Sequence, residues 1–272
     1  MIKKVKFDDA QRERIIDKAG HLADEYGAKY MACAPGIFEG IAEAFRNEGI
    51  ELFPKEIQDT LTSAFIALHG GVAMSGVGTC GAVTAATFLI GYVVGVTTEE
   101  LTKNANLNYA SCVPAVTYIV DRFEETYGAI DCLRIRYNRV QRAFDLLDPD
   151  ARINEELFIL YQPNKCAMIA PEFEGGRIQT PPVQGARWAA EALCDLLAME
   201  PEERKELPPH LMGLGMQEMA PKLQPVVESL KKFKFGRPDE KISYREYWTF
   251  KMKGKKGVEE GRLGSISAPK KE

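Results

Sequence analysis

The stretch HGGVAMSGVGTCGAVTAATFLIGYVVG, residues 69–95, constrains the fold more than any other part of the chain. Its first half carries glycine at 70, 71, 76, 78 and 81. No regular helix or strand tolerates that density, because a glycine in an element interior costs roughly 0.5–1 kcal/mol relative to alanine. This half is therefore a loop in which backbones approach closely. The second half, from about Gly81 to Val94, is apolar on every side and reads as a helix buried all round. Such a helix needs other elements packed on each of its faces. The run from Ala82 to Val96 is broken by Thr84, Thr87, Gly91 and Gly95 and falls short of the ~18 residues of a membrane span. With 45% hydrophobic and 27% charged residues among 272, the chain has ordinary globular composition, which excludes disorder as its main state.

The flanking segments supply the helices. From Asp8 to Tyr26, Ile15, Ile16, Ala19, Leu22, Ala23 and Tyr26 recur at three- and four-residue spacing along one helix face, and Gly27 is expected to stop the helix. A second helix runs from about Pro35 to Asn47, with the proline in the first turn, where its missing N–H is harmless. Pro54 opens a third through Ile57, Leu61, Phe65 and Leu68, ending at His69 and the glycine pair. After the buried helix, Thr97 or Thr98 caps one long helix through Leu101, Leu107, Cys112, Val116, Ile119, Val120 and Phe123, which Gly128 terminates. Cys132 to Leu147 forms another, with Leu133, Val140, Phe144 and Leu147 inward. The one convincing strand is Leu157 to Tyr161, cut by Pro163, and no obvious second run pairs with it.

Beyond Pro149 the texture changes. Pro171, Gly175, Gly176, Pro181 and Pro182 mark a loop-rich insertion, and helices resume at Val183–Met199 and Lys222–Lys232. Residues 231–272 carry a net charge of +7 against −11 for residues 1–230, and hold Tyr244, Tyr247, Trp248 and Phe250. That segment reads as an arm docking on its own or a sister subunit, since the acidic body would repel nucleic acid. The fold class is mainly α: a helical bundle with a glycine-rich loop, a loop-rich insertion and an extended basic C-terminal arm. Its parts are residues 1–148 as the core, 149–230 as an extension of the same domain, and 231–272 as the arm. The basic start, MIKKVKFDDAQRER, has no apolar stretch behind it, so the expected location is the cytoplasm.

Gly76, Gly78 and Gly81 satisfy G-x-G-x-x-G, but a dinucleotide fingerprint needs a strand before it and a parallel strand after its helix, and both neighbours read as helices. Glu99 and Glu100, near the distance of a ribose-binding acid, are ordinary first-turn acids on a helix dipole. The stronger account starts from the thiols. Six cysteines, Cys33, Cys80, Cys112, Cys132, Cys166 and Cys194, are too sparse for a disulfide framework. Cys80 stands at a helix N-terminus beside glycines, where unpaired N–H groups would lower its pKa and suit it as a metal ligand or reactive thiol. Cys112 and Cys194, inside apolar helix faces, read as small core hydrophobes. His69 reads as a helix C-terminal cap, His21 and His210 as surface residues, and Asp131 and Glu172 as solvated carboxylates.

The string TCGAVTAA with GYVVG after it, Ala32-Cys33-Ala34 on an early helix, and FEETYGAIDC ending in Cys132 resemble the redox-active protein family named for its C_GCAxxG_C_C cysteine pattern. The resemblance covers about residues 10–195, with Ala85 standing where the family's closing glycine is expected and Cys166, in NKCAMIAP, best fitting the last element. It implies four gathered thiols, Cys33, Cys80, Cys132 and Cys166, and a relationship to the domain that accompanies haem in split-Soret cytochromes, where an iron–sulfur cluster is present. No C-x-x-C-H occurs, so c-type haem attachment is not expected. Four thiolates hold a [2Fe–2S] or [4Fe–4S] cluster or a structural zinc. The intervals of 47, 52 and 34 residues lack local pairing, so the fold has to bring distant segments together. Gly76, Gly78 and Gly81 would then bind the cofactor through backbone N–H groups donated to sulfur.

The leading expectation is a redox protein of anaerobic metabolism that passes electrons from its cluster to a partner. Two alternatives are a thiol/disulfide oxidoreductase using Cys80 as nucleophile, and a non-catalytic helical subunit whose basic arm joins a homo-oligomer or a larger redox complex.

Overall fold

The computed structural model describes residues 2–105, 107–140, 148, 150–151, 153–154, 173–174, 177–178, 180–207 and 225. The protein is mainly helical, as expected. Among the described residues its helices include α1 (Asp9–Tyr30), α2 (Cys33–Asn47), α3 (Lys55–Phe65), α4 (Gly81–Val94), α5 (Thr98–Lys103), α6 (Val113–Tyr127), α7 (Cys132–Val140) and α8 (Pro181–Leu197). Strands β1 (Phe173–Glu174) and β2 (Arg177–Ile178) pair antiparallel as a two-residue hairpin. The all-apolar α4 is the central helix, packed against α2, α6 and α8, while α1 lies on α2 and α8. Ala82, Ala85, Ala86, Leu89 and Ile90 of α4 are fully buried.

Gly27 does not end α1. The helix continues to Tyr30 because this is where α2 passes: a Cβ on Gly36 would stand 2.5 Å from the Gly27 nitrogen, and one on Gly40 would stand 2.5 Å from the Ala23 nitrogen. Two helix backbones in contact leave no room for side chains on the α2 side. The chain turns at Met31, with φ of 51°, whose N–H bonds back to Ala28 and Gly27 carbonyls. The second helix accordingly starts at Cys33, two residues before the expected proline.

The single long helix expected after Thr97 is two helices. Thr97 caps α5 with a reciprocal capping box to Glu100, but α5 ends at Lys103, and Asn104 leaves helical geometry. The chain re-enters through a π-helical turn, Asn108–Cys112, in which Val113 N–H reaches back five residues to Asn108 O. Pro114 stands in the first turn of α6, where its missing N–H is harmless. In α7 the inward residues are Cys132 and Ile135, with Leu133 half-buried. The remainder of that helix beyond Val140, the strand Leu157–Tyr161, the helix Lys222–Lys232 and the basic arm 231–272 lie outside the described residues.

At the C-terminal end of α4, Arg204 is buried and bonds four carbonyls. They are Leu196 O and Ile2 O at 2.8 Å, Met199 O at 3.1 Å and Val93 O at 3.4 Å. One guanidinium thus donates to carbonyls at the ends of both α4 and α8; Leu196 O also accepts from Met199 N. Lys205 beside it pairs with Glu100 and Glu202.

Candidate functional site

Three cysteines occupy equivalent places in three helices. Cys33 is the first residue of α2, Cys80 is the N-cap of α4 and Cys132 is the first residue of α7. The glycine loop ties two of these ends together. Cys80 N donates to Ile130 O at 2.8 Å, Cys132 N to Gly78 O at 3.1 Å, and Leu133 N to Gly76 O at 2.7 Å, with Thr79 bridged to Asp131. First-turn N–H groups of α7, which have no partner inside the helix, are therefore satisfied by loop carbonyls. Asp131 completes the cap by accepting from Arg134 N at 2.9 Å.

The loop holds an unusual backbone to do this. Gly70, Gly71, Val72, Ala73 and Met74 all have positive φ, at 60°, 74°, 63°, 50° and 57°. Left-handed geometry costs roughly 1–2 kcal/mol per non-glycine residue, and Val72 is β-branched besides. Hydrogen bonds Ala73 N to Ala67 O, Gly76 N to Gly70 O and Gly78 N to Gly71 O hold the coil in place.

Glycine then makes space for sulfur. A Cβ on Gly81 would stand 2.5 Å from Cys33 Sγ, and one on Gly71 would stand 3.0 Å from Cys132 Cβ. A Cβ on Gly78 would meet Gly71 O at 2.5 Å. The thiols of Cys33, Cys80 and Cys132 are near enough to act on one another electrostatically. The structure brings these three together; Cys166 lies outside the described residues.

The expected low pKa of Cys80 is corrected. Burial pushes its thiol far above the ordinary cysteine range, and Cys33 and Cys132 push the same way, against a weaker pull from the N–H groups of Ala82 and Val83. Desolvation therefore outweighs the helix N-terminus. Cys132 is raised too, chiefly by burial, with Arg136 opposing through its charge and a hydrogen bond. A solitary, activated Cys80 nucleophile does not follow from this arrangement.

The remaining candidates fall elsewhere. Cys194 is fully buried on α8, and burial pushes its thiol up to about 12 despite Arg12 nearby. Cys112 is half-buried in the π-helical turn and also raised by burial. His69 Nδ1 bonds Ile66 O at the end of the 3-10 turn that follows α3, which is the expected cap. His21 is exposed, and His210 and Glu172 lie outside the described residues. The loop is preceded by that 3-10 turn and its helix is followed by α5, so no strand of a dinucleotide unit flanks it. Sequence reasoning missed Gly71 and Arg136. The glycine pair before the loop and the four-residue spacing from Cys132 to Arg136 were the available signals.

Among the described residues, no three or more His, Cys, Asp or Glu side chains are gathered so as to hold a metal ion as they stand, and no helix is long and apolar enough to cross a membrane. The profile of the family described as "Putative redox-active protein (C_GCAxxG_C_C)" matches residues 31–181. No curated protein and no solved structure matches the chain.

Proposed function

The chain belongs to the C_GCAxxG_C_C family of redox-active proteins, and on that premise we propose that it is an iron–sulfur electron-transfer protein in which Cys33, Cys80, Cys132 and Cys166 hold a [2Fe–2S] or [4Fe–4S] cluster. The observation that carries this reading is the meeting of three thiols at three helix N-termini. Each such end presents the positive pole of a helix dipole, which suits a centre with net negative charge. Ala82 and Val83 donate to Cys80 sulfur, and Arg136 donates to that of Cys132. Gly81 keeps clear the volume that the Cys33 sulfur occupies, and Gly71 that of Cys132 Cβ.

Four thiolates are the donor set of a [2Fe–2S] or [4Fe–4S] cluster, which bound here would supply a one-electron carrier. Around it, the buried α4 N-terminus excludes water, and the N–H and guanidinium donors tune sulfur basicity. The five described cysteines are free thiols, in keeping with a reducing compartment such as the cytoplasm.

Protein purified without oxygen should be brown, contain iron and acid-labile sulfide, and lose visible absorbance on adding dithionite. Cys80→Ser should abolish the colour. Colourless, iron-free wild-type protein, loaded neither in cells nor by anaerobic reconstitution, would overturn the reading.

A further inference from the structure

The buried thiols have one thin wall. Cys80 and Cys132 are each 6% exposed, and the glycine loop lies over the Cys132 side of them. Its inner residues, Gly71 and Gly76, are buried: a Cβ on Gly71 would stand 3.0 Å from Cys132 Cβ, and one on Gly76 would stand 3.5 Å from Leu133 Cβ. Val72, Ala73, Ser75 and Val77, set between and beside those glycines, face solvent. On this side the cover is a single thickness of chain.

That stretch of cover is also the strained one. Residues 70–74 run through five consecutive positive φ values, and Val72, Ala73 and Met74 carry side chains at 63°, 50° and 57°. Against the strain stand hydrogen bonds from Ala73 N to Ala67 O at 2.9 Å, Met74 N to His69 O at 3.2 Å, Gly76 N to Gly70 O at 2.9 Å and Gly78 N to Gly71 O at 3.1 Å. The turn buries little apolar surface, since Val72 is 45% exposed and Ala73 and Ser75 are exposed as well. A segment with solvated hydrogen bonds and few buried apolar contacts opens at small cost, and the glycines at 70, 71, 76 and 78 supply hinges on both sides. It is tied to the site as well: Gly76 O and Gly78 O accept from Leu133 N and Cys132 N. A turn that relaxes out of left-handed geometry draws those carbonyls from the start of α7 and uncovers Cys132.

We propose that residues 70–74 are a sprung cover over the thiol site, which opens in metal-free protein to admit a thiophilic metal ion and closes when the thiols bind it. The role presupposes the metal site proposed above and supplies its entry path. Backbone strain favours the open form, and a metal that needs Cys80 and Cys132 side by side binds the closed one. Cover and metal are then linked: whatever relieves the strain closes the cover and tightens metal binding.

The test turns on Ala73, whose side chain is exposed. Glycine adopts its φ without strain, whereas a β-branched residue there is worse than alanine. In metal-free full-length protein, brief iodoacetamide labelling read by mass spectrometry should modify Cys132 about threefold more slowly in Ala73→Gly and about threefold faster in Ala73→Val. Cys194, fully buried on α8, reports global unfolding and should not change. With Cd2+ as the probe ion, release to EDTA should be slowest from Ala73→Gly and fastest from Ala73→Val, and Cd2+ should slow amide exchange across residues 72–78 about 10-fold or more. Ala73→Gly alone decides the matter should Ala73→Val fail to fold. Equal Cys132 labelling in variant and wild type, Cys132 and Cys194 labelling that change in step, or exchange at 72–78 unmoved by Cd2+ would overturn the proposal. Protein unable to hold iron that still shows these shifts in labelling and Cd2+ release would keep the cover and sink the cluster reading; a brown protein whose labelling is the same in all variants would do the reverse.

Discussion

The two ends of α4 solve the same problem in opposite ways. A helix leaves N–H groups without partners at one end and carbonyls at the other. At the C-terminal end the carbonyl of Val93 is absorbed into the protein by Arg204, together with carbonyls from α8 and from the start of the chain. At the N-terminal end the N–H groups of Ala82 and Val83 point at a thiol instead. One end is tied down by a cation whose partners all belong to the fold. The other is held by strained backbone and glycine, and its donors face a group that can take up a metal. On the proposed reading, stability is concentrated at the first end and chemistry at the second.

This contrast is open to test, and the largest effect belongs to the stapled end. Arg204→Met should cost about 3–5 kcal/mol, because it leaves buried carbonyls without a donor. Calorimetry should show a much lower Tm, while iron per folded molecule stays unchanged. At the thiol end the pattern should invert. Gly81→Ala places a Cβ against Cys33 Sγ and should cost only about 1–3 kcal/mol, yet iron and sulfide should fall to a small fraction of wild type. If loading survives, the close approach is not what positions Cys33.

Smaller effects sharpen the comparison further. Thr97→Ala removes the capping box of α5 and should lower stability by about 1 kcal/mol, with no change in metal content. In metal-free protein at neutral pH, iodoacetamide should modify half-exposed Cys33 well before Cys80, whose buried thiol is held in its protonated form; mass spectrometry after brief labelling reads the order. The least effect is electrostatic. Lys205, by its hydrogen bond, and the Thr97 N–H and hydroxyl hold the Glu100 carboxyl down to about 2. A carboxyl depressed on folding stabilises above its unfolded pKa of ~4.3, and that contribution disappears as pH falls from about 5 towards 2. A plot of Tm against pH should be shallower across that window in Lys205→Met.

Much of the fold was legible because it rests on local chemistry. The start of α4 at Gly81, the opening of α3 after Pro54 and the end of α6 at Gly128 follow from glycine and proline alone. The errors came where a distant segment decided the outcome. Gly27 looks like a stop in its own sequence, but α1 runs through it, and it is Gly36 of α2 that has to lack a side chain where the two backbones meet. The break between α5 and α6 was hidden by an apolar spacing that stayed in register across the π-helical turn. Arg204 gave no sign of burial, since nothing local distinguishes it from a surface arginine.

The candidate site divides along the same line. Residue type and spacing alone identified the glycine loop, the buried helix behind it and the thiols most in need of explanation, because glycine, proline and apolar periodicity act over a few residues. Tertiary structure alone decided that Cys33, Cys80 and Cys132 meet, that each does so at a helix N-terminus, and that burial rather than the helix dipole governs Cys80. The balance between desolvation and dipole depends on what surrounds a thiol, and those surroundings come from residues 47 and 52 positions away along the chain.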